Sequence, residues 1–138
     1  MDVVEFRTSH YAELAGIWER YGWTPPSEEV LPKRGYVMIS GGKVVGASFI
    51  YISCSGMAYL DWIVVDPLAH PMARGKCVHK TIQACLDYSK SLGKTVAYTV
   101  TANKSLLKAL KKLGFQDMET HATTMAMSLD GTKTDFLR

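Results

Sequence analysis

The sequence contains no apolar run approaching the roughly 18 residues that a membrane-crossing helix needs, so no membrane partner is expected. Its opening residues, Met1-Asp2-Val3-Val4-Glu5-Phe6, lack the basic segment, apolar stretch and small-residue cleavage site of a secretory leader, which points to the cytoplasm. Cysteine is scarce. Cys54, Cys77 and Cys85 form no CxxC pair, and an odd number of thiols in a cytosolic setting argues against a disulfide framework. His10, His70, His79 and His121 lack the spacing that gathers metal ligands, so no metal is expected. Charge of one sign is thin as well: the net charge is +3 and the lysines line no stripe with aromatics between them, so no nucleic-acid partner is expected.

What is present suits one soluble domain over residues 1–138, with 47% hydrophobic residues to build a core and 21% charged residues to cover it. Residues 3–7 read as a strand. Tyr11, Leu14, Ile17, Trp18 and Tyr21 then recur at helical spacing behind a Thr8 or Ser9 cap. Pro25-Pro26 breaks that helix, and Ser27-Glu28-Glu29 suits a short helical turn with acidic residues at its start. Residues 34–40, 44–53 and 57–65 are β-rich runs separated by Gly41-Gly42-Lys43 and Ser55-Gly56, which predicts a three-stranded antiparallel meander.

The pattern then changes. Val78, Ile82, Cys85, Leu86, Ser89 and Leu92 mark one helical face ending at Gly93, and residues 95–101 read as a strand. Leu106, Leu107, Leu110 and Leu113 mark a second helical face, Lys104, Lys108, Lys111 and Lys112 cover its back, and Gly114 supplies the stop. A final hairpin is expected over residues 115–129. Strand, helix and strand in succession imply one parallel pair inside an otherwise antiparallel sheet, an α/β (α+β) architecture.

Two local patterns carry a family resemblance. Ile63-Val64-Val65-Asp66-Pro67, followed by Arg74-Gly75-Lys76-Cys77-Val78-His79, resembles the strand end and the Arg/Gln-x-x-Gly-x-Gly/Ala turn of the GCN5-related N-acetyltransferase (GNAT) superfamily. Cys77 and His79 stand where that family has glycine or alanine. Asn103-x-x-Leu106-x-x-Ala109-Leu110-x-Lys112-x-Gly114-Phe115 is similar in spacing to the family's Asn-x-x-Ala-x-x-Leu-Tyr-x-Lys-x-Gly-Phe pattern. The two patterns span the C-terminal half, while the N-terminal half agrees in element order. The resemblance implies a mixed, mostly antiparallel sheet of about six to seven strands with about four flanking helices. It also implies acetyl-CoA as co-substrate, an amine-bearing small molecule, peptide or protein as acceptor, and a homodimer as one assembly.

A helix N-terminus offers unpaired N–H groups and a positive dipole end, which attract a pyrophosphate. The predicted turn therefore runs over Arg74, Gly75, Lys76, Cys77, Val78 and His79, with charge from Arg74 and Lys76. A second register, His70-Pro71-Met72-Ala73-Arg74-Gly75, fits the same spacing with His70 first. The Arg74 register is preferred because the apolar face starts directly after it, giving a helix of about 14 residues and a loop over residues 68–73.

The resemblance assigns carbonyl polarisation to backbone N–H groups of the fourth strand, over Ile63, Val64 and Val65. Asp61 is the acidic residue within that strand and the candidate base; alternation puts it on one face with Tyr59, Ile63 and Val65. Leu110 occupies the position of the family's general-acid tyrosine, which leaves Tyr98 on the neighbouring strand as substitute. Cys77 beside Lys76 at a helix start would have a lowered pKa and could carry an acyl group. Asn103 is expected to cap its helix and, by the resemblance, to contact the cofactor. The resemblance also places acceptor specificity between Tyr21 and Lys33. The alternative reading is a catalytically silent binding or structural protein of the same fold, like accessory proteins of bacteriophages.

Overall fold

Alternation along the central strands decides which helix packs on which face. In the computed structural model, which describes residues 1–131, Val37 and Phe49 point to one side of the sheet while their neighbours Met38 and Ile50 point to the other. The strands are β1 (Asp2–Glu5), β2 (Arg34–Ser40), β3 (Lys43–Ile52), β4 (Met57–Val65) and β5 (Val96–Tyr98). They lie side by side in chain order, antiparallel except for the parallel pair of β4 and β5.

Helix α1 (Tyr11–Arg20) covers the first face: Leu14, Ile17 and Trp18 pack on Val37, Ala47, Phe49 and Val64. Helix α2 (Pro71–Ser91) and helix α3 (Lys104–Lys112) cover the other, with Ile82, Cys85 and Leu110 on Ile50, Ala58 and Leu60. Burying one such side chain contributes about 1.5–3 kcal/mol, so each face is held by several independent anchors. The centre of the α2 stripe is Cys77, Thr81, Cys85 and Ser89, one position round from the Val78-based stripe expected, and Leu92 is exposed. Ser48 and Thr81 share a buried hydroxyl–hydroxyl hydrogen bond of 2.8 Å, and Ser89 Oγ donates to the Cys85 carbonyl at 2.9 Å, so the hydroxyls in that stripe are satisfied.

The ends of α2 and α3 follow the sequence. Gly93 (φ 78°) and Gly114 (φ 105°) sit just beyond them in the left-handed region, where residues with a Cβ are disfavoured. The start of α1 differs. Neither Thr8 nor Ser9 caps it: a 3-10 turn (Thr8–His10) runs directly into it, and Thr8 Oγ1 donates to Glu28 Oε2 at 2.7 Å, tying that turn to a second one (Glu28–Val30).

Among the described residues there are five strands and three α-helices rather than the six to seven strands and four helices expected. The strand shortfall lies at the C-terminal end, while the short helical turn expected after Pro26 is a 3-10 turn (Glu28–Val30). β5 covers three residues instead of 95–101, and residues 115–129 form no hairpin. Met118, Met125, Met127 and Leu129, which a hairpin would have to bury, are exposed, and the short β5 leaves little edge for such strands to pair with. Among the described residues no helix is long and apolar enough to cross a membrane.

Candidate active site

The C-terminal half of β4 is the irregular part of the sheet. Ala47 pairs with Val64 but Phe49 with Asp61, so β4 carries one extra residue opposite Ser48, a β-bulge at Trp62 and Ile63. Trp62 has φ 54°, a conformation rarely adopted by non-glycine residues and costing on the order of 1–3 kcal/mol. Its surroundings hold it there. Its backbone N–H donates to Asp61 Oδ1 at 2.8 Å, its Nε1–H donates to Tyr51 Oη at 2.8 Å, and its ring meets Trp18 edge-on.

The bulge also corrects the expected parity. Tyr59 and Asp61 remain together, but Trp62 and Val64 pack with the α1 core, while Ile63 and Val65 turn toward α2. An inserted residue flips every side chain beyond it, and the alternation rule has no means of anticipating one.

Beyond the bulge β4 and β5 part company. They pair only from Met57–Val96 to Tyr59–Tyr98, and the last link between them is Thr99 Oγ1 donating to the Leu60 carbonyl at 2.8 Å. From Asp61 to Val65 no strand flanks the outer edge of β4 among the described residues. Asp66 N–H donates inward to Val45 at 2.7 Å, so the Val65 carbonyl before it faces outward, and Ile63 shares that direction. Tyr21 Oη donates to that Val65 carbonyl. The Tyr21 ring stacks on Trp23 with centroids 4.7 Å apart, and Arg20 pairs with Asp66 at 2.9 Å, so the end of α1 clasps the end of β4.

The predicted phosphate turn is not a turn. Helix α2 begins at Pro71, which puts Arg74, Gly75, Lys76, Cys77, Val78 and His79 inside it and makes it 21 residues long. This is the His70 register. Proline at the first helical position presets φ, and His70 Nδ1 caps the turn by accepting Met72 N–H at 3.1 Å. Starting there also buries an extra turn of apolar face, since Ala73 and Cys77 pack with Met38, Val45 and Val65.

The consequence is chemical. Pro71 has no N–H, that of Met72 goes to His70, and that of Arg74 goes to the His70 carbonyl at 3.0 Å, so Ala73 supplies the remaining first-turn donor. Gly75, Lys76 and His79 face solvent, Val78 is half-buried, and Cys77 is fully buried. Burial pushes the Cys77 thiol up to about 12, only partly offset by hydrogen bonding with Thr81, the opposite of the lowered pKa expected at an open helix start. Cys77 is therefore a packing residue and no acyl carrier. Arg74 is half-buried with its Nε enclosed and without a hydrogen-bond partner among the described residues, close enough to Tyr21 for its charge to oppose the rise that burial gives that phenol.

The candidate acid Tyr98 and the candidate base Asp61 each neighbour Tyr59. Tyr51, Tyr59 and Tyr98 lie side by side on three neighbouring strands, with ring centroids 5.9 and 5.5 Å apart, and Asp61 follows Tyr59 on the same face. Burial, then the charge of Asp61, push Tyr59 up to about 12. Asn103 caps α3 as expected, its Oδ1 accepting Leu106 N–H at 2.9 Å.

Solved structures share this architecture. An aminoglycoside N-acetyltransferase, AAC(6')-Iy, in complex with CoA superposes with a TM-score of 0.69 at 16% identity, covering 92% of this chain and 100% of that one. The fold is that of the GNAT superfamily. The Rv2747 protein of Mycobacterium tuberculosis in complex with CoA (TM-score 0.72, 18% identity) covers 90% of this chain and 76% of that one. The ribosomal-protein-S18-alanine N-acetyltransferase from Escherichia coli (TM-score 0.69, 18% identity) covers 86% and 79%. No protein-family model and no curated protein matches the sequence.

Within this acetyltransferase fold, sequence reasoning missed three parts of the site. The Tyr21–Val65 clasp and the Trp62 bulge leave no mark on local periodicity. Tyr51 and Tyr59 were legible as strand aromatics but not as neighbours of Tyr98, because only pairing register brings them together. The Pro71 start was legible: proline behind a possible capping histidine is a helix-start signal that the apolar stripe outweighed.

Proposed function

We propose that this chain is an acyl-CoA-dependent N-acyltransferase that moves acetyl from acetyl-CoA to an amine of a small molecule, peptide or protein by direct attack. The observation that carries the reading is the outer edge of β4, unflanked from Asp61 to Val65 among the described residues, with a carboxylate at the point where β4 and β5 separate. Acetyl-CoA supplies an activated acyl thioester. The outward backbone groups of Ile63 and Val65 suit the amides of its pantetheine arm, with Val64 buried between them as anchor. Arg74, whose enclosed Nε has no partner among the described residues, Lys76 and the Ala73 N–H suit its pyrophosphate, and exposed Gly75 leaves the helix surface open to it. His79, exposed one turn on, and Asn103, at the start of α3, stand as further contacts; Cys77 and Val78 fix the helix against the sheet.

In this reading Asp61 receives the proton that the attacking amine gives up and passes it to water. A β4 N–H steadies the carbonyl oxygen as the new C–N bond replaces the C–S bond. Tyr98 or water returns a proton to the departing thiolate.

A catalytically silent protein of the same fold is the second reading. It is favoured by the capped first turn of α2 and by the Tyr21 hydroxyl on the Val65 carbonyl, both of which occupy groups a bound CoA would use. Calorimetric titration of acetyl-CoA separates the two. The acyltransferase reading expects micromolar binding, weakened about tenfold or more by Arg74→Glu, which removes a charge-assisted contact and adds a like charge. An amine screen with Asp61→Asn as control then reports transfer. No binding by the folded wild-type protein sinks the acyltransferase and leaves the silent binder.

A further inference from the structure

Charge is divided between the layers of this fold. Residues 71–112, from the start of α2 to the end of α3, hold nine of the chain's 16 lysines and arginines but one of its 13 acidic residues. That is a net +8, which leaves −5 for the remainder of a chain whose net charge is +3. The two helices cover one face of the sheet and touch each other, so lysines spread along the sequence meet on one outer surface. Lys104, Lys108 and Lys112 recur every fourth residue on α3, and Lys80 and Lys90 stand on α2. All five are exposed, and none has an ion-pair partner among the described residues. The acids nearby are engaged: Asp87 accepts from Gln83 Nε2 at 2.9 Å, and Asp117 pairs with Lys111 at 3.3 Å. Asp2 lines a groove with Lys80 on the β1 side, so the positive charge is densest toward α3.

Such a surface attracts a polyanion, and its side chains favour one kind. Nucleic-acid faces set arginine forks on phosphates and aromatic rings on bases. Here the single arginine, Arg74, is half-buried, as are the two aromatics, Tyr88 and Tyr98, and Tyr88 lies beneath the Arg34 guanidinium at 4.0 Å. A membrane surface needs a continuous apolar stripe, whereas the exposed large apolar side chains of this helix are Met72 near its start and Leu92 at its end, about 30 Å apart. Met72 shares a line with Lys90, about five turns on. We infer that the outer face of α2 and α3 is a docking surface for an acidic segment of a partner protein, whose carboxylates meet the lysines and whose apolar side chains meet Met72 or Leu92. The surface does not depend on acetyl transfer and serves a silent protein equally.

A fluorescently labelled glutamate-rich peptide with interspersed leucines tests this on the full chain, by anisotropy at about 0.15 M salt. A DNA duplex and phosphatidylserine vesicles serve as rival polyanions. The peptide is expected to bind, and the triple reversal Lys104→Glu, Lys108→Glu, Lys112→Glu to weaken it about tenfold or more. The double reversal Lys80→Glu, Lys90→Glu on α2 should weaken it severalfold, and serves alone if the triple variant does not fold. Lys43→Glu, at the start of β3 and outside this layer, should leave binding unchanged. No binding of the peptide, or binding indifferent to the reversals on α2 and α3, overturns the inference. Binding of the duplex or the vesicles as tight as that of the peptide also overturns it, and gives the face to that polyanion instead.

Discussion

Gly46 is where a single methyl group should disturb both stability and the candidate site. A Cβ built there would lie 2.2 Å from the Val64 carbonyl oxygen, 2.9 Å from Val65 Cα and 2.9 Å from Cys77 Sγ. Two of those three neighbours are backbone of β4, so they cannot rotate away. Relieving the shortest contact requires β4 to move off β3 by about 1 Å, and overpacking of this kind costs about 1–3 kcal/mol. For a domain of this size Gly46→Ala should lower the melting temperature by about 3–10 °C, with a matching fall in the urea midpoint at unchanged m. Cys77→Ala would remove only the Sγ contact, so adding it should recover less than half of the loss. Because Val65 offers outward groups proposed to hold the pantetheine arm and Val64 anchors that edge, acetyl-CoA affinity should fall in the same variant. A Gly46→Ala protein within about 0.5 kcal/mol of wild type by urea unfolding would refute the close approach of α2, β3 and β4 on which the site description depends.

The Tyr21 hydroxyl sits on the Val65 carbonyl that the proposed cofactor would use, so Tyr21→Phe should tighten acetyl-CoA binding about threefold to tenfold by calorimetry. Weaker binding would mean that the hydroxyl contacts the ligand instead of competing with it. Cys77 and Cys85 are both buried, with folded-state values pushed from 9.0 up to about 12, so they should resist iodoacetamide in the native protein while exposed Cys54 reacts, as peptide mass spectrometry would show. Their linkage has a definite sign: the folded state holds these protons more tightly than the unfolded chain. Their contribution to stability is therefore complete below about pH 9 and is lost as pH rises from there toward 12, which urea unfolding across that range would detect. A flat profile there would contradict their burial.

Local signals settled much of this protein before any tertiary information was needed. The meander was readable because each of its runs is β-rich and bounded by glycine. Helices α2 and α3 stop where Gly93 and Gly114 stand, and α3 starts on Asn103, since caps and left-handed residues act within a few positions of themselves. The single parallel pair followed from strand–helix–strand order, and the resemblance in the Asn103 to Phe115 segment led to the fold that the solved structures share.

What the sequence could not decide depended on which distant residues would come into contact. Helix α2 starts at Pro71 because Ala73 and Cys77 find a seat opposite Gly46, a fit visible only once three elements are assembled. Burial there turns Cys77 from a candidate reactive thiol into an inert one, and the cap on His70 removes donors that an open turn would have offered. The bulge at Trp62 is fixed by Tyr51 and Trp18, and it moves Ile63 and Val65 to the face opposite Asp61. The tyrosine row exists only in the register of β3, β4 and β5. A final hairpin was expected over residues 115–129, yet a strand needs an edge to pair with and a face to cover, and the three residues of β5 supply too little of either.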